Sequence, residues 1–184
     1  MEQLDGSRIY LRILDVDDAE DLLDLIIKNK YFWSLSEPER DEKYYSLDTH
    51  IENIQLDLLS THAGKSYSWG VFLKETGELI GDFSLYGVKS FPFYSASIGY
   101  SIDHDQLGKG YATEALRLAV AFAFQKLHLH RLEAGVFPGN LASIKVLEKL
   151  GFQREGLARK NILINGEWKD HFQYALLKSD WIIE

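Results

Sequence analysis

The chain contains no cysteine, only three prolines and no long run of apolar residues. Without cysteine it can form no disulfide, no thiolate nucleophile and no thiolate metal site. No segment approaches the roughly 20 consecutive apolar residues that a membrane-spanning helix needs. The first residues also lack the basic start and apolar core of a signal peptide. These absences predict a cytoplasmic protein that does not enter a membrane.

Basic residues are also in deficit, with 20 Lys and Arg against 28 Asp and Glu and a net charge of -8. Binding to nucleic acid needs clustered Lys and Arg, so we expect no direct nucleic-acid partner. An acidic balance suits a cationic partner, such as an amine or a basic protein. The 184 residues show no linker and no internal repeat, which predicts one domain over residues 1–184.

The most informative stretch runs from Asp103 to Ala115 and contains Gly108 and Gly110. An extended segment, 94–102, precedes it, and an almost wholly apolar helix, 113–126, is expected after it. A strand, a glycine turn and a helix bring unpaired backbone N–H groups and the positive end of the helix dipole to one point. Such an arrangement favours the binding of a phosphate group.

The two commonest phosphate loops do not fit this stretch. A Walker A loop needs Ser or Thr directly after Gly-Lys, and Lys109 is followed by Gly110. A dinucleotide fingerprint would need a third glycine where Thr113 stands. Taken alone, the glycine turn therefore fits a tight strand-to-helix connection as well as a phosphate site.

The rest of the chain alternates between strand and helix patterns. Helix periodicity and caps predict three helices besides 113–126, and alternation with turn signals predicts the strands. The predicted strands are 7–14, 66–74, 79–87, 94–102, 131–137, 162–164 and 172–177, and the other helices run from 15 to about 30, from 48 or 49 to about 60, and from Asn140 to Gly151. Residues 31–47 are expected to form a loop.

The helix between segments 94–102 and 131–137 makes a crossover connection. A crossover predicts that these two strands are parallel inside an otherwise antiparallel sheet. The fold class is therefore a mixed α/β fold, in which helices cover both faces of a twisted and mostly antiparallel sheet.

Three motifs, in this order and spacing, resemble those of the GCN5-related N-acetyltransferases (GNAT). They are Gly-Lys-Gly-Tyr-Ala-Thr-Glu-Ala at 108–115, Asn140-x-x-Ser143, and Leu-Gly-Phe at 150–152. The resemblance spans nearly the whole chain and is strongest to the branch that acetylates the N-terminal alanine or serine of ribosomal proteins. It implies the acyl-CoA acyltransferase fold, whose parallel strand pair splays apart, and acetyl-CoA as the co-substrate.

The resemblance also implies a cofactor site. The pyrophosphate of coenzyme A would lie on the glycine turn, and the pantetheine arm and thioester would lie beside the strand before it. A splayed strand pair exposes backbone groups that an amide-bearing cofactor can satisfy. The residues implied for the pyrophosphate are Leu107, Gly108, Lys109, Gly110, Tyr111 and Ala112, and those implied for the arm are Tyr100, Ser101 and Ile102.

Asn140 and Ser143 lie one turn apart on the same helix face. Similar enzymes use the asparagine to hold the coenzyme arm, and the serine as the acid that protonates the leaving thiolate. The residues alone also fit a purely structural interpretation, because Asn is a preferred N-cap and Ser favours the first helical turn. Both interpretations stay open from the sequence.

The general base is not evident from the sequence. Many relatives carry a glutamate where this chain has Ser97, and a serine cannot act as a general base without help. Asp82 is the first remaining candidate, followed by Asp170 and His171. A surface or structural role is open for each of the three, since carboxylates are mostly exposed.

The amine that attacks the thioester must be unprotonated. An α-amino group has a pKa of about 7.7–8.0 against about 10.4 for lysine, so a modest base suffices for it. We therefore predict acetyl transfer by direct attack to a primary amine, preferably the N-terminus of a basic ribosomal protein. The alternatives are a polyamine or aminoglycoside acceptor and, because of Ser97, a non-catalytic acyl-CoA-binding module.

The acceptor is expected, by the same resemblance, between the first two helices and the last hairpin. No metal site is predicted. Alternation would put His128 and His130 on one face, with Glu133 nearby, but a third ligand and its geometry are unsupported. The oligomeric state is open, and a homodimer is one option.

Overall fold

The computed structural model describes residues 3–182, and an eight-stranded sheet forms its centre. Residues 1–2 and 183–184, the two ends of the expected domain, lie outside the described part. The strands are β1 (Leu4–Asp5), β2 (Ile9–Ile13), β3 (Tyr67–Leu73), β4 (Leu79–Lys89), β5 (Ser95–Ile102), β6 (Arg131–Val136), β7 (Gln153–Ile164) and β8 (Glu167–Leu177). The α-helices are α1 (Ala19–Trp33), α2 (Leu47–His62), α3 (Tyr111–Ala121) and α4 (Leu141–Lys149).

The strands lie in the order β1-β2-β3-β4-β5-β6-β8-β7. All the neighbouring pairs are antiparallel except β5 and β6, which are parallel. This confirms the predicted mixed sheet and its single crossover through α3. The crossover helix is needed because two parallel strands cannot be joined by a tight turn.

The parallel strands β5 and β6 pair over only three positions, which end where Ser97 lies beside Glu133. Beyond that point β5 stays with β4 as far as Ile102, and β6 stays with β8 as far as Val136. The two strands therefore diverge toward their C-terminal ends. We call the space between them the strand gap.

Alternation along the strands sends neighbouring residues to opposite faces of the sheet. Leu11 joins the larger core cluster, which includes residues of α3 and α4, whereas Tyr10 packs against a second cluster that includes residues of α1 and α2. We call these sides the α3 face and the α1 face. Helices thus cover both faces, as expected for this fold class.

The crossover helix is close to the predicted one. It starts at Tyr111 and, after Ala121, continues as a π-helical turn over Phe122–Lys126. Leu116 and Phe124 are fully buried, which agrees with the absence of a continuous polar face. Across residues 3–182, no helix has the length and apolarity that crossing a bilayer requires.

Some predicted boundaries were wrong. The last hairpin is much longer than predicted, because β7 is mostly exposed on both sides and so lacks an alternating pattern. The predicted loop 31–47 contains the end of α1 and a 3-10 turn, Glu42–Tyr45, and α2 starts at Leu47. The short strand β1 was not predicted.

Candidate active site

The glycine turn brings the chain into α3 without a side-chain cap. Gly108 and Gly110 have φ of 74° and 85°, a region that L-residues with a Cβ rarely adopt. Gly110 is the N-cap residue, and no side chain caps the helix. The backbone N–H groups of Tyr111, Ala112 and Thr113 belong to the first turn and have no partner within the helix. The start of α3 therefore presents free donors.

A buried carboxylate fastens this turn to the start of β2. Glu114 Oε1 accepts hydrogen bonds from the Arg8 backbone N (2.8 Å) and from Ser7 Oγ (3.1 Å). Arg8 Nε and Nη2 each lie 3.0 Å from Glu114 Oε2, and Arg8 Nη1 donates to the Lys109 carbonyl at 2.7 Å. Burial alone would raise the pKa of Glu114, but these hydrogen bonds lower it. We call this set the Arg8–Glu114 clamp.

The sequence alone did not reveal the clamp, since Arg8 and Glu114 are 106 positions apart. Its surroundings are basic. A cavity of about 330 Å³ opens beside it, and the Glu114 charge there is already neutralised by Arg8. The residues that line the cavity are Ser7, Arg8, Lys109, Gly110, Thr113, Glu114, Arg117 and Lys149. This surrounding charge favours an anion next to the free donors of α3.

Tyr100 and Ser143 meet between β5 and α4. Tyr100 OH lies 2.9 Å from Ser143 Oγ, and the tyrosine ring stacks on Phe83 at 5.6 Å between centroids. Burial raises the pKa of Tyr100 to about 12, although the hydrogen bond with Ser143 opposes the shift. The phenol therefore stays protonated at neutral pH. Asn140 Oδ1 accepts from the Ser143 backbone N at 3.1 Å, so Asn140 does cap α4.

Asp82 lies on the other face of the sheet. It pairs with Ser101 across β4 and β5, next to the pair of Phe83 and Tyr100, so alternation directs it toward the α1 face. Burial, and then the negative charge of Glu37, raises the pKa of Asp82 to about 7, against a smaller effect of Arg40 in the opposite direction. A carboxylate with this pKa can take up and release a proton at neutral pH.

Glu37 was missed by the sequence analysis, because it lies in the stretch predicted as a loop. Ser101 Oγ donates to Glu37 Oε1 at 2.9 Å. Burial raises the pKa of Glu37, while the hydrogen bond from Ser101 and the charge of Arg40 act to lower it. A hydroxyl on β5 is thus joined to a carboxylate that follows α1.

The other two base candidates are engaged inside the β7–β8 hairpin. Asp170 Oδ1 accepts from the Lys160 backbone N at 2.7 Å, which supports the irregular part of β7. His171 is buried, its Nδ1 lies 3.0 Å from Asn161 Oδ1, and burial lowers its pKa. These contacts favour Asp82 over both as the candidate base.

The last hairpin reaches the segment after α1. Asn165 Nδ2 donates to the Ser34 carbonyl at 3.0 Å. A cavity of about 340 Å³ lies beside this contact, between the end of β6 and the hairpin. It is lined by Leu35, Phe137, Ile164, Asn165, Glu167 and Lys169. The elements expected around an acceptor are therefore in contact with one another.

Two clusters of side chains that could bind a metal are instead engaged in ion pairs with basic residues. Glu133 is paired with Arg131 at 2.8 Å. Within the described chain, Asp103, His104 and Asp105 hold potential ligand atoms within 4.8 Å of one another. Lys28 Nζ lies 2.5 Å from Asp103 and 2.8 Å from Asp105, so an ammonium group already bridges these carboxylates and offsets one of their two charges.

The sequence also matches known proteins. Residues 8–153 match the family model described as an acetyltransferase (GNAT) domain. The chain is 42% identical to the probable N-acetyltransferase YjcK of Bacillus subtilis, over 96% of this chain and 98% of that protein. It is 32% identical to the [ribosomal protein uS5]-alanine N-acetyltransferase of Escherichia coli, over 97% of this chain and 92% of that one.

The fold matches solved structures as well. One is that of Mycobacterium smegmatis RimJ in complex with CoA-disulfide, with a TM-score of 0.92 and 25% identity. The match covers 97% of this chain and 88% of that one. The similarity therefore extends over the sheet, the glycine turn and the last hairpin together.

Proposed function

The chain belongs to the acetyltransferase (GNAT) family and is an acetyl-CoA-dependent N-acetyltransferase, and on this premise we propose that its acceptor is the α-amine of a protein N-terminus. One observation carries the proposal. Proton-handling groups stand on both faces beside the strand gap, with Tyr100 and Ser143 on the α3 face and Asp82 on the α1 face. The Escherichia coli relative is a [ribosomal protein uS5]-alanine N-acetyltransferase, which points to an alanine at a ribosomal-protein N-terminus as the acceptor class.

We place the acyl donor on the α3 face. The backbone N–H groups from Gly108 to Ala112 would hold the pyrophosphate, with Leu107 and Lys109 at its edge, because a helix start with no side-chain cap favours an anion. The pantetheine would follow β5 along Tyr100, Ser101 and Ile102 into the strand gap, where β6 no longer pairs. Asn140 would both cap α4 and hold the coenzyme arm.

We place the amine on the α1 face, where Asp82 is the proposed general base. The bound ammonium gives one proton to Asp82, and its nitrogen then attacks the thioester carbonyl carbon. Backbone N–H groups of β5 would stabilise the oxyanion of the tetrahedral intermediate. The intermediate loses a second proton from nitrogen as it collapses to the amide, and this proton replaces the one that Ser143 gives to the leaving sulfur.

We place the leaving sulfur of the thioester on the side of the strand gap where Ser143 lies. The C–S bond breaks, and the thiolate takes up a proton with Ser143 Oγ as the nearest proposed donor. Tyr100, which stays protonated because its pKa is about 12, would donate to Ser143 Oγ and stabilise the negative charge that develops on this oxygen as its proton leaves. Overall, an ammonium and a thioester yield an amide, a thiol and one proton.

The pKa of the base supports an α-amine over a lysine. A group with a pKa of about 7 matches an α-amine of about 7.7–8.0, whereas a lysine near 10.4 would pass its proton to such a base far less readily. A polyamine is the second candidate, because the carboxylates of Glu37 and Asp82 would attract a cation.

We also propose that residues 1–184 act as one domain in the cytoplasm. The family match ends at residue 153, but β8, which follows it, pairs with β6 in the same sheet. The last hairpin is therefore part of the same domain.

A thiol-release assay with acetyl-CoA tests the proposal. Peptides that begin with Ala or Ser should release thiol faster than a lysine peptide whose N-terminus is blocked, a polyamine or an aminoglycoside. Preference for the polyamine would support the second candidate and contradict the first. Binding of coenzyme A without thiol release from any amine would indicate a non-catalytic module. Binding itself is measured by thermal stabilisation, since a ligand at 100 times its Kd adds about 2.7 kcal/mol.

A further inference from the structure

We propose that Glu37 holds the ammonium group of the acceptor at the strand gap and that Ser101 positions the Glu37 carboxylate for this task. The inference rests on the proposed function and extends it by naming the residue that recognises the amine. Glu37 would bind the cation, and Asp82 would take its proton.

The first support is the contact between Glu37 and β5. Ser101 Oγ donates to Glu37 Oε1 at 2.9 Å, although the two residues are 64 positions apart. Within residues 3–182, the Glu37 side chain has Ser101 as its hydrogen-bond partner through Oε1, so Oε2 can accept from a ligand. Ser101 is next to Tyr100, whose hydroxyl contacts Ser143 on the other face. Glu37 therefore binds the same part of β5 that carries the Tyr100–Ser143 contact.

The second support is the rigidity of the segment that carries Glu37. Its backbone N donates to the Trp33 carbonyl at 3.0 Å, and Trp33 Nε1 donates to the Ile102 carbonyl at 3.2 Å. The Ser34 carbonyl accepts from Asn165 Nδ2 of the last hairpin. These bonds connect the segment to α1, β5 and the hairpin. A carboxylate fixed in this way needs little ordering when it binds an amine.

The third support is the arrangement of charges around Asp82. The groups that act on it are Glu37 and Arg40 from the segment after α1, and Asp57 from α2. Tyr44, from the 3-10 turn, is coupled to the same carboxylates. Asp82 pairs with Ser101 across the two strands, and the Ser101 hydroxyl holds Glu37, so both carboxylates adjoin the same residue. An ammonium has three N–H donors, and we infer that one binds Glu37 while another binds Asp82. Binding therefore places the proton to be lost next to its acceptor.

The variant Glu37→Gln tests the role of the charge. Glutamine keeps an oxygen that can accept from Ser101 Oγ, but it carries no negative charge. We expect KM for a peptide that begins with Ala to rise about tenfold or more, because a charge-assisted hydrogen bond is lost. The Kd of coenzyme A should stay within about twofold, because the donor binds on the other face.

The pH profile gives a readout that a merely structural residue would not move. Removal of the Glu37 charge should lower the pKa of Asp82, so the acidic limb of kcat/KM should move to lower pH. The pKa of the free amine is the same for every variant, so any shift belongs to the enzyme. Glu39→Gln, two positions along and exposed, is the matched control and should leave KM and the limb unchanged.

The variant Ser101→Ala tests the positioning step. It should raise the amine KM by about threefold, less than Glu37→Gln, because the charge remains but its position is less restricted. In the double variant the two effects should not add, since both act through one contact.

Two results would overturn the inference. One is an unchanged amine KM and an unmoved pH limb for Glu37→Gln, in a variant whose unfolding curve matches the wild type. The other is a rise in the Kd of coenzyme A as large as the rise in the amine KM, which would mean that the variant is generally distorted. A wild-type protein that releases no thiol with any amine would instead contradict the proposed function itself.

Discussion

The two faces of the strand gap are built in different ways. On the α3 face, the unpaired donors are backbone N–H groups of one short stretch, 111–113, and the Arg8–Glu114 clamp holds the turn before it in place. On the α1 face, the polar groups are side chains from separate segments, among them Glu37, Asp82 and Ser101. A cofactor that is the same in every turnover can be bound by a contiguous backbone motif. Recognition of a particular acceptor instead relies on side chains from separate segments, because each of these can differ between proteins without altering the others.

The two faces also differ in what they do to stability. The Glu114 carboxylate on the α3 face is satisfied by hydrogen bonds, which lower its pKa and stabilise the folded protein. The Asp82 carboxylate on the α1 face is held in a site that favours its protonated form, at a cost in stability when it is charged. Such costs are typical of functional groups.

The strongest test of this contrast is Asp82→Asn. If Asp82 is the base, kcat/KM for a peptide amine should fall by about 10²–10⁴-fold, the usual contribution of general acid–base catalysis. The Kd of coenzyme A should not change if the donor binds on the α3 face, as we propose. Steady-state thiol release and calorimetric titration measure the two quantities. A loss of less than about threefold would show that Asp82 is not the base.

The next test removes the clamp with Glu114→Ala. We expect about 3 kcal/mol less stability in urea unfolding, because the backbone N–H groups of Arg8 and Ile9 lose their acceptor. Coenzyme A should also bind more weakly, since Arg8 no longer holds the Lys109 carbonyl in place. Glu114→Gln, which keeps an acceptor oxygen, should lose less of both. Unchanged coenzyme A binding in Glu114→Ala would mean that the clamp does not position the turn.

Asp82→Asn should have an opposite effect on stability. The pKa of Asp82 is about 7 in the folded protein and about 3.9 in an unfolded chain, so the folded protein holds more protons between these values. Its stability therefore falls as the pH rises through that window, and the penalty is complete above pH 7. The asparagine variant should be more stable than the wild type by up to about 4 kcal/mol at pH 8, and the difference should vanish at pH 4. Urea unfolding at both pH values measures this, and an equal or lower stability at pH 8 would contradict it.

The smallest expected effect is that of Tyr100→Phe. The ring can still stack on Phe83, so the fold should be retained. Loss of the hydroxyl that contacts Ser143 should lower kcat about tenfold, with little change in the amine KM. Single-turnover and steady-state rates with one peptide measure the split. A rise in the amine KM alone would place Tyr100 in acceptor binding.

Much of the frame was predictable because its signals are local. The glycine turn, the cap at Asn140 and the Gly151 that ends α4 are all set by residues close together in the chain. The parallel pair followed from the helix that connects its strands. The long hairpin β7–β8 was not fully predicted, because an exposed strand has no alternating pattern.

The sequence by itself determined the order of the main elements, the position of the glycine turn and the family to which the chain belongs. Only the tertiary structure revealed the clamp, the contact of Tyr100 with Ser143 and the carboxylate of Glu37 beside Ser101. The physical reason is that a helix end depends on a few consecutive residues. The charge and proton affinity of a side chain depend instead on burial and on neighbours that the fold brings together from distant parts of the chain.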